Sequence, residues 1–271
     1  MSRSEPNRSP HRTPRRAPAP APITPLPARV RAASTLYLFG GSFDPPHHYH
    51  LRVAGITAAH AEASNSEPTH SLCLYVPAAR SPLKQAGPTA GDAARVRMLR
   101  AALRGVSNAA IWSDEVDRAK WQRRHGVDRP SYSIDTVKRL RSLLPKGTCI
   151  HLVIGADQAA AFHRWRSARA LVRLAQPLVL PREGIRTPAD LRREVAASAG
   201  PFWSVRELDA WSRRLLDAPV IRESSTRLRR ALAGSPAQRA RALRSLPLAV
   251  ARIVDERNLY ASPPVPRRRA H

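Results

Sequence analysis

The chain has 271 residues, with 46 basic and 20 acidic side chains and a formal net charge of +26. At 42% hydrophobic residues it can bury a sizeable core, in one large or two small domains. No apolar run approaches the roughly 18 residues of a membrane span. Only four of the basic residues are lysines (Lys84, Lys120, Lys138 and Lys146), a skew that a GC-rich genome also produces, yet so basic a chain is expected to attract nucleotides, phosphates or nucleic acid.

Residues 1–33 hold eight prolines, seven arginines and a single acid, Glu5, and read as a disordered tail. No apolar stretch follows their basic start, so a signal peptide is not expected and the compartment reads as cytoplasmic. Residues 34–261 form the expected folded body. Leu36-Tyr37-Leu38-Phe39 is a first apolar run, ending at Gly40-Gly41, and a helical stretch follows from about His48 to Ala63. Leu72-Cys73-Leu74-Tyr75-Val76 is a second run, stopped by Pro77. Asp92 reads as the N-cap of a helix carrying Val96, Leu99 and Leu103. Ala110-Ile111-Trp112 is a weak third strand, and Ser133 to Leu144 is helical with Ile134, Val137 and Leu140 on one face. Residues 149–154 are a fourth strand ending at Gly155, and Leu178-Val179-Leu180 a fifth. The two cysteines, Cys73 and Cys149, lie in these runs. They exclude a disulfide framework or zinc finger and read as small buried hydrophobes. From Ser262 a second Pro/Arg-rich tail begins.

Apolar strands interleaved with helices imply an α/β fold, a Rossmann-like doubly wound parallel sheet with helices on both faces. Ligands of such sheets sit beyond the carboxyl ends of the strands, at a switch point of the topology. That directs attention to the loop Gly40-Gly41-Ser42-Phe43-Asp44-Pro45-Pro46-His47-His48-Tyr49-His50. Two glycines let backbone approach an anion, and the helix start offers free N–H groups. His47 and His50 are three apart and project to one side of a helix, where two imidazoles can donate to phosphate oxygens. No Asp, Glu or Cys follows at helical spacing to complete a metal site. Ser224-Ser225-Thr226 reads as an N-cap cluster and anion seat, with Arg229 one turn on.

Gly-Gly-Ser-Phe-Asp-Pro-Pro-His-x-x-His resembles the signature of the nucleotidyltransferase superfamily, in the form typical of bacterial nicotinate-nucleotide adenylyltransferases. The resemblance spans most of residues 35–260. Five further blocks carry it: Arg95-Val96-Arg97-Met98-Leu99, Ser131 to Val137, Ile154-Gly155-Ala156-Asp157 with Trp165, Ser224 to Arg229, and Leu259-Tyr260. Pro181-Arg182-Glu183-Gly184 stands where that family has an Arg-Pro-Gly turn. The resemblance implies nucleotidyltransferase chemistry in NAD biosynthesis, with ATP and nicotinate mononucleotide as substrates and deamido-NAD and pyrophosphate as products. By the same resemblance, His47 and His50 are catalytic and contact ATP phosphates. Gly40, Gly41, Ser42, Phe43, Lys84, Asp157, Ser224, Ser225, Thr226 and Arg229 bind ATP. Tyr132, Ser133, Trp165 and Arg182 bind the mononucleotide. Mg²⁺ is expected to travel with ATP, held through phosphates and water rather than an acidic cage.

The chain departs from that pattern at Tyr49, where the family has glycine, at Leu83, where it has histidine, and at Glu223, where it has an aliphatic residue. The stretch from Arg186 to Pro219, with Trp203 and Trp211, is longer than usual. Two other readings are an adenylyltransferase for nicotinamide mononucleotide or another phosphorylated acceptor, and a degenerate member binding nucleic acid. The second has no reading motif or aromatic–basic interleaving to support it.

Overall fold

Burial on both faces of a central sheet shapes the molecule. The computed structural model describes residues 19–64, 70–80, 87–127, 129–220 and 223–262. In chain order these form α1 (Ala28–Arg31), β1 (Thr35–Gly41), α2 (His48–Ser64), β2 (Ser71–Pro77), α3 (Asp92–Ala102), β3 (Ala109–Ile111), α4 (Asp114–Arg124) and α5 (Ser133–Arg141). Then come β4 (Cys149–Gly155), α6 (Ala156–Ala160), α7 (Ala168–Leu174), β5 (Gln176–Leu180), α8 (Pro188–Ala199), α9 (Val205–Ser212), α10 (Ser225–Leu232), α11 (Pro236–Arg244) and α12 (Leu248–Glu256).

The strands make one sheet in the order β3-β2-β1-β4-β5, every pair parallel. Leu36, Leu38, Leu72, Leu74, Ile150 and Leu152 point to one face, where they pack with α1 and α5 to α9. Tyr37, Phe39, Cys73, Tyr75 and Val153 point to the other and meet α2 and the end of α3. Both faces are covered, which is why the strands read as continuous apolar runs. Helices α10 to α12 form a third cluster around Met98 of α3. No helix among the described residues is long and apolar enough to cross a membrane.

Four expectations need correction. The described part of the supposed tail, residues 19–33, is docked: Leu26, Val30 and Ala33 are buried in the main core. Asp92 is the first helical residue rather than the cap. Gly91 holds the cap position, and Asp92 instead binds Arg95 at 2.6 Å and Arg123 at 2.9 Å. The helix from Ser133 stops at Arg141, short of Leu144, which precedes a proline and is biased away from helix. Cys149 is exposed at the first position of β4, its Sγ 3.4 Å from His151 Nε2, whereas Cys73 is buried as expected. Residues 1–18 and the end of the C-terminal tail lie outside the described residues.

Candidate active site

The chain leaves β1 to one side for β2 and later returns to β1's other flank as β4, so the crevice between the β1 and β4 ends is the switch point. The loop that borders it is held from three directions. Arg95, fully buried, donates from Nη1 to the Ser42 carbonyl at 2.6 Å. Asp44, also buried, accepts from the N–H groups of Thr89 and Ala90 at 2.7 and 3.0 Å and from the Tyr260 hydroxyl at 2.7 Å. From α10, Arg229 donates to the Asp44 carbonyl at 2.7 Å and Ser225 Oγ to the Pro45 carbonyl at 3.1 Å. Phe43 adopts a left-handed backbone (φ 47°), unusual for an aromatic residue, with its ring buried against Phe39, His50 and Tyr75.

This scaffold brings the two histidines together, their ring centroids 3.8 Å apart. The His47 N–H donates to His50 Nδ1 at 3.1 Å, so a neutral His50 carries its proton on Nε2. The Tyr75 hydroxyl fixes the His50 carbonyl at 2.7 Å. Burial lowers the His47 pKa to about 4, against the opposing pull of Glu223 and with help from Arg182. Burial first, then His47 and Arg182, holds His50 well below its ordinary value. At neutral pH both rings are therefore uncharged N–H donors. Glu223 lies beside His47, with Oε2 3.4 Å from His47 Nδ1 and accepting from the Tyr49 N–H at 3.1 Å.

Across the crevice, Asp157 Oδ1 lies 3.5 Å from Arg182 Nε. A Cβ on Gly155 would come within 2.6 Å of that oxygen and 3.3 Å of Arg182 Nε, so a larger residue there would push the Asp157 carboxylate aside. Ser131 N–H donates to the Arg80 carbonyl and Ala78 N–H to the Gly41 carbonyl, at 3.0 and 2.8 Å, which ties the start of α5 and the end of β2 to the same rim. Tyr132, half-buried, lies under the Arg166 guanidinium at 4.8 Å, beside Ser133. Trp165, also half-buried, stacks on Phe162 at 4.8 Å, and Trp211 meets Phe162 edge-on at 5.2 Å. The long stretch with Trp203 and Trp211 thus buttresses Trp165 from behind. Gly40, Gly41 and Ser42 line the β1 end, while Lys84 lies outside the described residues.

Several placements differ from expectation. Ser224 occupies the α10 cap position but makes no side-chain cap bond, and Ser225 and Arg229 brace the β1 loop. The Tyr49 ring is buried in the second core cluster. Sequence reasoning gave no separate role to Asp44, Arg95 or Tyr260, although all three stand in its motif blocks. Among the described residues no group of three or more His, Cys, Asp or Glu side chains is placed to hold a metal ion. Asp44, the buried carboxylate within the loop, has both oxygens occupied by donors.

A family model described as cytidylyltransferase-like matches residues 38–231. The chain is 33% identical over 203 residues to a probable nicotinate-nucleotide adenylyltransferase of Chromobacterium violaceum, covering 72% of this chain and 86% of the relative. It is 31% identical to a protein of the same description from Rhodopirellula baltica, covering 82% and 92%. A solved Plasmodium falciparum nicotinic acid mononucleotide adenylyltransferase, complexed with NaAD, shares the fold with a TM-score of 0.54 at 16% identity, covering 83% of this chain and 97% of that one.

Proposed function

The chain is a nucleotidyltransferase that belongs to the cytidylyltransferase-like family, among the nicotinate-nucleotide adenylyltransferases, and we propose that it transfers the adenylyl group of ATP to nicotinate mononucleotide in the cytoplasm. The observation that carries this reading is the neutral imidazole pair of His47 and His50 at the β1–β4 crevice, beside the N-terminus of α2. The acceptor phosphate attacks the α-phosphorus in line. A new phosphoanhydride bond forms as the α–β bond breaks, and pyrophosphate leaves with the electron pair. No protein nucleophile is needed, so the chain's part is positioning and charge stabilisation. His50 Nε2–H donates to a phosphate oxygen, and His47 and the first-turn N–H groups of α2 add to the same seat. Asp157 accepts from ribose hydroxyls, and Arg182 adds positive charge. Mg²⁺ would travel with the triphosphate, held through phosphate oxygens and water, and would screen its charge.

For the acceptor, backbone donors near Tyr132-Ser133 and the face of Trp165 suit a nicotinate ring and its carboxylate. The amide of nicotinamide mononucleotide would turn its own NH₂ toward such donors, a mismatch of about 1–3 kcal/mol. Incubation with ATP, Mg²⁺ and either mononucleotide, with pyrophosphate and dinucleotide measured, tests the reading. We expect turnover with kcat/KM at least about tenfold higher for the nicotinate form, and Trp165→Ala to weaken acceptor use far more than ATP binding. Absence of pyrophosphate, equal efficiency on both acceptors, or a loss confined to ATP would each count against it.

A further inference from the structure

Glu223 is a departure from the family pattern, and its carboxylate sits on groups assigned above to phosphate. Its Oε2 accepts the Tyr49 N–H at 3.1 Å and lies 3.4 Å from His47 Nδ1. Tyr49 is the second residue of α2, a helix of 17 residues, so this N–H is one of the donors that have no partner within the helix. A carboxylate is acceptor-only and negatively charged, the same chemistry a phosphate oxygen brings to a helix N-terminus. The Glu223 side chain is half-exposed, at 50%, and among the described residues these two contacts are what anchor it. Around the same point lie His48, His50 and Arg182, and among the described residues Glu223 is the carboxylate that faces His47.

We infer that Glu223 is an internal competitor for the phosphate seat, a carboxylate that ATP must displace from the Tyr49 N–H and His47, and that it thereby sets how weakly this chain holds its nucleotide. The inference rests on the proposed function, because it takes the seat between His47 and α2 to be where ATP phosphates bind. Displacement costs one charge-assisted contact and brings the freed carboxylate near the incoming phosphates. Both effects weaken ATP binding and leave the acceptor site, across the crevice at Trp165, untouched.

The test is calorimetric titration of the full chain with ATP, with and without Mg²⁺, for wild type, Glu223→Gln, Glu223→Val and His47→Ala, alongside melting temperatures to confirm folding. Glu223→Val should tighten the Kd for ATP about tenfold, and Glu223→Gln should tighten it less, because its amide oxygen can still accept the Tyr49 N–H without charge. The KM for nicotinate mononucleotide should stay within twofold of wild type. An unchanged or weaker Kd in both Glu223 variants overturns the inference. Weakening confined to the Mg²⁺ arm would show the carboxylate serving the metal-loaded nucleotide instead, and overturns it equally. Failure of the underlying reading looks different: His47→Ala would then bind ATP as wild type does.

Discussion

His50 makes two contacts with different purposes, and substitutions can separate them. Its Nδ1 accepts the His47 N–H and so shapes the loop, while Nε2 carries the proton available to phosphate. His50→Ala removes both, and kcat should fall about 10²-fold or more, the scale of losing one transition-state donor. His50→Gln places an amide donor near the Nε2 position and should recover part of that loss. His50→Asn keeps an acceptor near Nδ1 but no donor farther out, and should not. Steady-state kinetics on the three variants check this ordering, and equal recovery by Asn and Gln would refute the Nε2 assignment. The pairing of the two histidines was legible in the sequence because their motif block is local. The supports were not. Asp44 meets Tyr260 across 216 positions and Arg229 across 185, and no spacing rule reaches that far. Glu223 was legible as a departure, but not its bond to the Tyr49 N–H, which depends on where α10 docks.

The segment from Ala19 to Ala33 shows where composition misleads at the level of elements. Its prolines and arginines suggest a solvated tail, yet Val30 is fully buried and Leu26 nearly so. The backbone is satisfied by side chains of the body rather than by a sheet. Arg139 donates to the carbonyls of Ala21 and Pro22 and, bidentate at 2.7 Å, to the buried Asp114. Asp114 in turn accepts the Thr24 N–H at 3.0 Å, and Trp112 Nε1 donates to the Thr24 carbonyl at 2.8 Å. Proline suits such a strap, because it has no N–H to satisfy. The few apolar residues, Leu26, Val30 and Ala33, carried the signal that the proline count obscured. Burying Leu26 and Val30 stabilises by about 1.5–3 kcal/mol each, and removing the strap would also leave the Trp112 Nε1–H without its acceptor. A chain starting at Ser34 should therefore melt at least about 10 °C below one starting at Ala19. Equal melting temperatures would show that the strap contributes nothing to stability. By contrast, the five strands were visible in sequence to within two residues, because burial on both faces makes them continuous apolar runs.

Buried neutral histidines and a large positive charge together set how the whole molecule responds to acid. His47 and His50 lie beyond the carboxyl end of β1, the central strand. His151 stacks on Tyr37 at 5.1 Å, with His60 6.1 Å from it, in a second group at the starts of β1 and β4. Burial lowers all four, His47 and His151 to about 4, with His60 adding to the depression at His151. Unfolded, each returns to about 6.5. Between about pH 6.5 and 4 the unfolded chain therefore binds more protons than the folded one, and stability falls as pH falls through that window. Glu115 works the other way: its carboxyl is held above its ordinary range by burial, so acid relieves a cost of folding there. One glutamate against four histidines leaves a net loss, and the melting temperature should drop by at least about 5 °C from pH 7 to pH 4.5. Repulsion within a chain of net charge +26 would act in the same direction. Salt separates the two causes, because it screens repulsion between exposed charges and hardly alters the burial of an imidazole. The drop should persist in 0.5 M salt if burial dominates, and shrink in a His60→Gln, His151→Gln double variant. A drop that salt abolishes would assign the acid sensitivity to surface charge, and a flat profile would contradict the burial of these rings.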